Sequence, residues 1–312
     1  MSNSLSFEGT LEVLSHCERK AHDPERTDIR VLCLGLPGTM RGVYGAGSAI
    51  ALHEAGLTPG IDVFAGISTS APIFGYTLSG QAEMGTGIYS EECVSGKFMG
   101  RMRVDTNYLA SVFRDGHKAL NQEAVRAARS AFYVAVTCAQ TGEGAFIDAK
   151  TAPDMIDAIH ASLAIPGMSS GPITINDRQY IDGVGAFPFP IREALELFQP
   201  TDVLILANAP GQIDTPMLTG AGWAYLLRGK DANGEDRYPE QVRRQYISSA
   251  ERYNQSLYWL RNHKPCRFLI LKSDHQVDLF ERDAAKLRSA AERSRQFTHH
   301  LIDRARSPVS AL

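Results

Sequence analysis

The sequence lacks the marks of several protein classes. Its five cysteines, Cys17, Cys33, Cys93, Cys138 and Cys266, are odd in number and none falls in a CxxC pair. That spacing indicates neither a disulfide framework nor a zinc site, and it suits a reducing compartment. There is no internal repeat, no low-complexity tract and no strong charge of either sign, the formal net charge being −3 over 312 residues. Nucleic acid is therefore not an expected partner. One stretch without charge, Val63 to Ala82, is long enough to suggest a membrane span. Ser68, Thr69, Ser70, Pro72, Thr77 and Ser79 make it too polar and too broken, and a buried strand running into a buried helix accounts for it. No secretory signal is expected either, since Glu8 and Glu12 interrupt the N-terminal stretch that would have to be apolar. A cytoplasmic location is the expectation, with signal-independent secretion left open.

What is present is an ordinary globular composition, with 44% hydrophobic and 21% charged residues. Short β-branched runs, Ile29–Leu34, Ile61–Ala65, Phe132–Cys138, Val203–Ala207 and Arg267–Leu271, read as strands. Helical spacing falls between them, at Gly42–Gly56, Thr69–Leu78, Pro153–Ala164 and Ile191–Phe198, then in two longer stretches, Pro239–Asn262 and Leu279–Arg304. Pro172 to Asp182 alternates around Asn176-Asp177, as a hairpin does. Strand, glycine-rich turn and helix in succession predict an α/β fold with a mostly parallel sheet covered on both faces. The parse is an arm over residues 1–28, a core over 29–210 and a helical cap over 211–312 that completes the same domain. Charge is unevenly spread: Leu226 to Leu312 carries a local +6 and the remainder −9. Such an excess is a solvated helix face by default, or a surface for anionic lipid headgroups if the substrate is a lipid.

Three constellations could carry chemistry. Strand Ile61–Ala65 runs into Gly66-Ile67-Ser68-Thr69-Ser70, where a serine on a sharp strand-to-helix turn would stand with its hydroxyl exposed. Small residues at 66 and 70 let strand and helix approach, and the N–H of Thr69 would face whatever Ser68 attacks. The same five residues equally suit a capped, buried helix. Upstream, Gly35-Leu-Pro-Gly-Thr-Met-Arg-Gly42 is a glycine-rich turn of the kind whose N–H groups hold anions. It lacks the Lys-Ser/Thr of a P-loop and the dinucleotide G-x-G-x-x-G, so an oxyanion hole is the surviving functional reading, beside a plain structural turn. Asp182-Gly183 closes the predicted hairpin, and an aspartate within reach of Ser68 could take its proton without a histidine. By itself, an Asp-Gly pair is more often a turn.

Taken in order, Gly38-Thr-Met-Arg-Gly-Val-Tyr-Gly-Ala-Gly47, the Ser68 turn, Ala161-Ser-Leu-Ala-Ile-Pro-Gly167 and Tyr180-Ile-Asp-Gly183 resemble the patatin-like phospholipases, especially their bacterial members. The resemblance covers roughly Ile29 to Ala207. It implies a three-layer α/β/α sandwich and hydrolysis of lipid acyl esters by a Ser–Asp dyad, without metal or organic cofactor. Carried over, Ser68 is the nucleophile and Asp182 the base. Gly38, Thr39, Arg41 and Thr69 line the oxyanion hole through backbone N–H groups, and Gly66 and Ser70 flank the nucleophile. The sequence departs from the family pattern at Pro37 and Thr39, which interrupt the glycines, at Ser70, where a glycine is usual, and at Val184 after the Asp-Gly pair.

Besides acyl transfer to a carrier protein, which wants a histidine base that no motif here demands, two rivals stand beside this reading. An α/β-hydrolase triad would use His275 as base, in the chain order Ser68, Asp182, His275, although only two strands precede Ser68. A non-catalytic lipid- or protein-binding module on the same fold is the other. Trp223, Tyr225 and Trp259 read as packing, or as a surface that touches lipid. His299-His300 reads as a solvated helix face rather than a metal site.

Overall fold

The computed structural model describes residues 4–100, 103–169, 171–209, 220–229, 237–274 and 276–307. In chain order its strands are β1 (Ser6–Gly9), β2 (Val31–Gly35), β3 (Val63–Ile67), β4 (Ala131–Cys138), β5 (Gly144–Asp148), β6 (Ile173–Ile175), β7 (Arg178–Asp182), β8 (Asp202–Ala207) and β9 (Arg267–Lys272). The helices that begin before β4 are α1 (Glu12–His22), α2 (Gly42–Glu54), α3 (Ser70–Leu78), α4 (Ala82–Glu91), α5 (Thr106–Asp115) and α6 (Gln122–Ala127). After it come α7 (Met155–Leu163), α8 (Ile191–Phe198), α9 (Gly220–Leu226), α10 (Glu240–Ile247), α11 (Ser249–His263) and α12 (Ala284–Arg306).

The strands form one open sheet in the order β1-β9-β8-β2-β3-β4-β7-β6, with β5 also paired to β4. Strands β9, β8, β2, β3 and β4 run parallel. Around them, β1, β5, β7 and β6 join antiparallel. The expectation of a mostly parallel sheet is thus corrected: the sheet is mixed. A tight turn can only join antiparallel neighbours, which is why the hairpin β6–β7 and the adjoining β4–β5 pair reverse direction.

Side-chain alternation shows why the central strands are apolar throughout. In β2, Val31 and Cys33 point into one core, with Phe64, Leu204 and Leu269, while Leu32 and Leu34 point into another, with Val63, Val203 and Phe268. Helices α2, α3, α7 and α12 supply the first core; α8 and α11 supply the second. A strand buried on both faces reads as a continuous hydrophobic run, and these do.

Several boundaries differ from the sequence reading. The expected arm contributes an edge strand, β1, and helix α1, which buries Val13, Leu14 and Cys17. The single helix expected over Pro239–Asn262 is two, broken at Ser248. Ser248 Oγ donates to Arg244 O (2.9 Å) and Ser249 Oγ to Tyr246 O (2.8 Å), so both hydroxyls bond back to carbonyls of the last turn of α10 at the break. The hairpin turns at Asn176 and Asp177, both at positive φ (48° and 62°), as a type I′ turn requires. Among the described residues no helix is long and apolar enough to cross a membrane.

Candidate active site

The register of the sheet brings the two predicted site residues together. Ile67, at the end of β3, pairs with Ala135 of β4, and the next residue of β4, Val136, pairs with Asp182 of β7. Ser68 and Asp182 therefore flank β4 at one level, and their side chains meet: Ser68 Oγ donates to Asp182 Oδ2 at 2.6 Å.

Ser68 sits at φ 54°, in the left-handed region that a non-glycine residue seldom occupies. Such a conformation costs on the order of 1–3 kcal/mol and persists only where its surroundings hold it. Here Ser162 Oγ accepts the Ser68 N–H (2.7 Å) and itself donates to Ala135 O (2.7 Å). Glycine at 66 is a packing requirement, because a methyl there would lie 2.8 Å from Ala71 Cα. Ser70 fits for a reason outside the turn: it faces Gly35, whose missing side chain leaves the space. Its hydroxyl donates to Leu36 O (2.8 Å) and accepts from Asn208 Nδ2 (3.1 Å).

Asp182 is held from three sides. Its Oδ1 accepts the Val184 N–H (2.8 Å), its N–H donates to Ala164 O (3.0 Å), and its carbonyl accepts Thr137 Oγ1 (2.9 Å) and Tyr246 OH (2.5 Å). No cation pairs with it among the described residues. Burial pushes its pKa up to about 7, against the opposing hydrogen bonds from Ser68 and the Val184 N–H. A carboxylate poised there accepts a proton near neutrality.

The glycine-rich turn packs beside this pair. Met40 N–H donates to Leu279 O (3.2 Å) and Arg41 N–H to Gly38 O (2.9 Å). The N–H of Arg41 is thereby committed, which corrects its place among the oxyanion donors; its guanidinium donates to Val277 O (2.9 Å) instead. The N–H groups of Gly38, Thr39 and Thr69 are not spent in the turn's own hydrogen bonds among the described residues. Thr39 has φ 46°, and its hydroxyl donates to Leu279 O (2.6 Å) and contacts Gly38 O (2.8 Å). Thr69 stands at the N-cap of α3, where a helix leaves its first N–H groups without partners.

Two cavities meet at Ser68. One, lined by Ile73, Tyr76, Ile88, Leu109 and Phe113 among others, is almost wholly apolar. The other is lined by Pro37, Arg41, Asp182, Val184 and Asn208 and is more polar.

Sequence reasoning missed the supports. The segment from Val277 to Phe280 braces the glycine-rich turn and walls both cavities. From the α10–α11 break, Tyr246 reaches Asp182 O, and Arg252 donates to Gly185 O, to Ala186 O (2.8 Å) and to Gln245 O (2.7 Å), fixing the loop after the aspartate. Only the paired serines at 248 and 249 hinted at the break. Trp223 is buried against Tyr246 (ring centroids 4.8 Å apart), whereas Tyr225 is exposed and Trp259 stacks on His263. His299 pairs with Glu54 on the surface (2.9 Å). His275 lies outside the described residues. Its neighbour Asp274 is buried and engaged by Tyr44 OH, Arg293 (3.1 Å) and the Gln276 N–H (2.9 Å). Among the described residues no three His, Cys, Asp or Glu side chains gather as a metal set.

No family model and no curated protein matches this sequence. Among solved structures, VipD from Legionella pneumophila is similar at TM-score 0.35 and 11% identity, over 81% of this chain and 70% of that one.

Proposed function

We propose that the protein is a serine acyl hydrolase that cleaves carboxylic esters of lipids with a Ser68–Asp182 dyad. The observation that carries this reading is the 2.6 Å hydrogen bond from Ser68, strained at a strand-to-helix turn, to a buried aspartate that no cation pairs with among the described residues. The four ordered motifs that resemble the patatin-like phospholipases support it independently.

The chemistry follows from the geometry. Asp182 takes the hydroxyl proton as Ser68 Oγ attacks the acyl carbonyl, and the N–H groups of Gly38, Thr39 and Thr69 receive the developing oxyanion. As the tetrahedral intermediate collapses, the proton passes from Asp182 to the departing alcohol. Water then attacks the acyl-enzyme, gives its proton to Asp182, and the carboxylic acid leaves with Ser68 restored. Residues 29–210 form the catalytic unit in this account and 211–312 complete it, their basic excess facing anionic headgroups at a membrane surface.

A triad is the less favoured alternative, because both oxygens of Asp182 are engaged by Ser68 and Val184 rather than by an imidazole. A panel of short-chain esters and phospholipids, assayed on wild type and Ser68→Ala, tests the proposal. Turnover of at least one ester by wild type, lost in Ser68→Ala, is expected; equal rates in the two proteins would refute it.

A further inference from the structure

The apolar cavity at Ser68 has three helical walls, and two of them, α3 and α5, give the same depth. On α3, Thr69, Pro72, Ile73 and Tyr76 share one face at helical spacing and line it from mouth to end. Helix α4 runs back alongside: Tyr89 OH bonds Thr69 Oγ1 at the mouth, while Gly85 lies against the Tyr76 ring at the far end. On α5, Thr106 is held by His160 Nε2 (3.0 Å), and Phe113, two turns later, meets Tyr76 edge-on with centroids 6.0 Å apart. Thr69 to Tyr76 and Thr106 to Phe113 each span seven residues, or about 10 Å at 1.5 Å per residue.

The far end is closed. Tyr76 and Phe113 are each 1% exposed, and Tyr76 OH is tied to Lys118 O. Only about 70 Å³ is open to the centre of a water molecule, so the cavity is no wider than a single hydrocarbon chain. Its sides carry Ile73, Ile88, Leu109 and Leu163, with no charged side chain among the described residues. A polar leaving group would lose its hydration there without compensation, whereas an acyl chain gains by burial.

We propose that this cavity is a blind acyl-chain slot that selects medium-chain esters, with Tyr76 and Phe113 as its floor and Leu109 as its mid-point. An extended chain advances about 1.3 Å per carbon, given bonds near 1.5 Å, so the depth admits about eight carbons. The proposal rests on the hydrolase reading and adds to it which part of the substrate enters the slot and where it stops.

The test is a series of p-nitrophenyl esters, butyrate, octanoate and palmitate, in one detergent. Wild type is expected to have its highest kcat/KM on octanoate and a value about tenfold or more lower on palmitate. Leu109→Trp moves the optimum to butyrate, and Tyr76→Ala raises the palmitate rate about tenfold, with both variants first shown to melt cooperatively. A profile that rises through palmitate, or one that neither folded variant moves, overturns the slot while leaving the hydrolase reading intact. Calorimetric titration of wild type with octanoate and palmitate separates the two claims and needs no variant. Octanoate binding without turnover of any ester keeps the slot and removes the hydrolase; no octanoate binding removes the slot.

Discussion

Two buried aspartates lie at different places in the same sheet, and their surroundings are opposite. Asp202, at the start of β8, is met by Arg267 Nε (2.8 Å), by Thr201 Oγ1 (2.6 Å) and by His16 Nδ1 at 3.0 Å. Burial pushes its pKa up, but these partners outweigh burial and hold it below the usual carboxylate range. Asp182, at the end of β7, has a serine hydroxyl and one N–H, and burial prevails. The amino-terminal side of the parallel strands is a structural edge, where Lys20 and Asp62 also pair at 3.0 Å. The carboxyl-terminal side keeps a strained serine, a strained threonine and a carboxylate that meets no cation among the described residues. A cation beside Asp202 stabilises the fold; among the described residues none stands beside Asp182, as the proposed role of a base requires.

The largest expected effect on this contrast is at the dyad. Ser68→Ala should lower kcat/KM by about 10³-fold or more, and Asp182→Asn by about 10²–10⁴-fold, measured on the best ester found. Asp202→Ala should do the reverse. It leaves activity per folded molecule unchanged and costs about 2–4 kcal/mol in urea unfolding, a range lowered from the fully buried case because Arg267 reaches solvent. Loss of activity in Asp202→Ala at full folding would erase the distinction.

The same comparison predicts opposite dependences of stability on pH. Asp182 has a raised pKa in the folded protein, so its contribution is fully present below the unfolded value of 3.8 and is lost as pH rises through about 7. Asp182→Asn, neutral throughout, should therefore be more stable than wild type at pH 8 by on the order of 2–4 kcal/mol, with the gap closing near pH 4. Asp202 has a lowered pKa, so its contribution is present above the normal carboxylate range and is lost on acidification. The smallest effect is at the glycine-rich turn. Thr39→Ala removes the hydroxyl bond to Leu279 O and should cost about 1 kcal/mol of stability, with a few-fold lower kcat/KM.

Residues whose role is written in their immediate neighbours were legible in the sequence. Ser68 follows an apolar run and precedes small residues, and Asn176-Asp177 dictates a tight turn, so the hairpin ending at Asp182 could be drawn. Residues whose role depends on distant partners were not legible. Strand β1 is four residues, Ser-Phe-Glu-Gly, and exists because β9, more than 250 residues later, offers an edge. Helix α4 carries Gly85 and Gly87, poor helix formers that tertiary packing overrides. The commitment of the Arg41 N–H, the Gly35 space that admits Ser70, and the hold of Tyr246 and Arg252 on the Asp182 loop are long-range contacts without a local pattern.

The central claim is that Ser68 is activated by a carboxylate poised near neutrality, and the rate of fluorophosphonate labelling against pH tests it most directly. Labelling at Ser68, located by peptide mass spectrometry, should rise with pH through a midpoint of about 7 and fall at least tenfold in Asp182→Asn. Labelling at another residue, or at Ser68 with a rate indifferent to pH and to Asp182→Asn, would contradict the account.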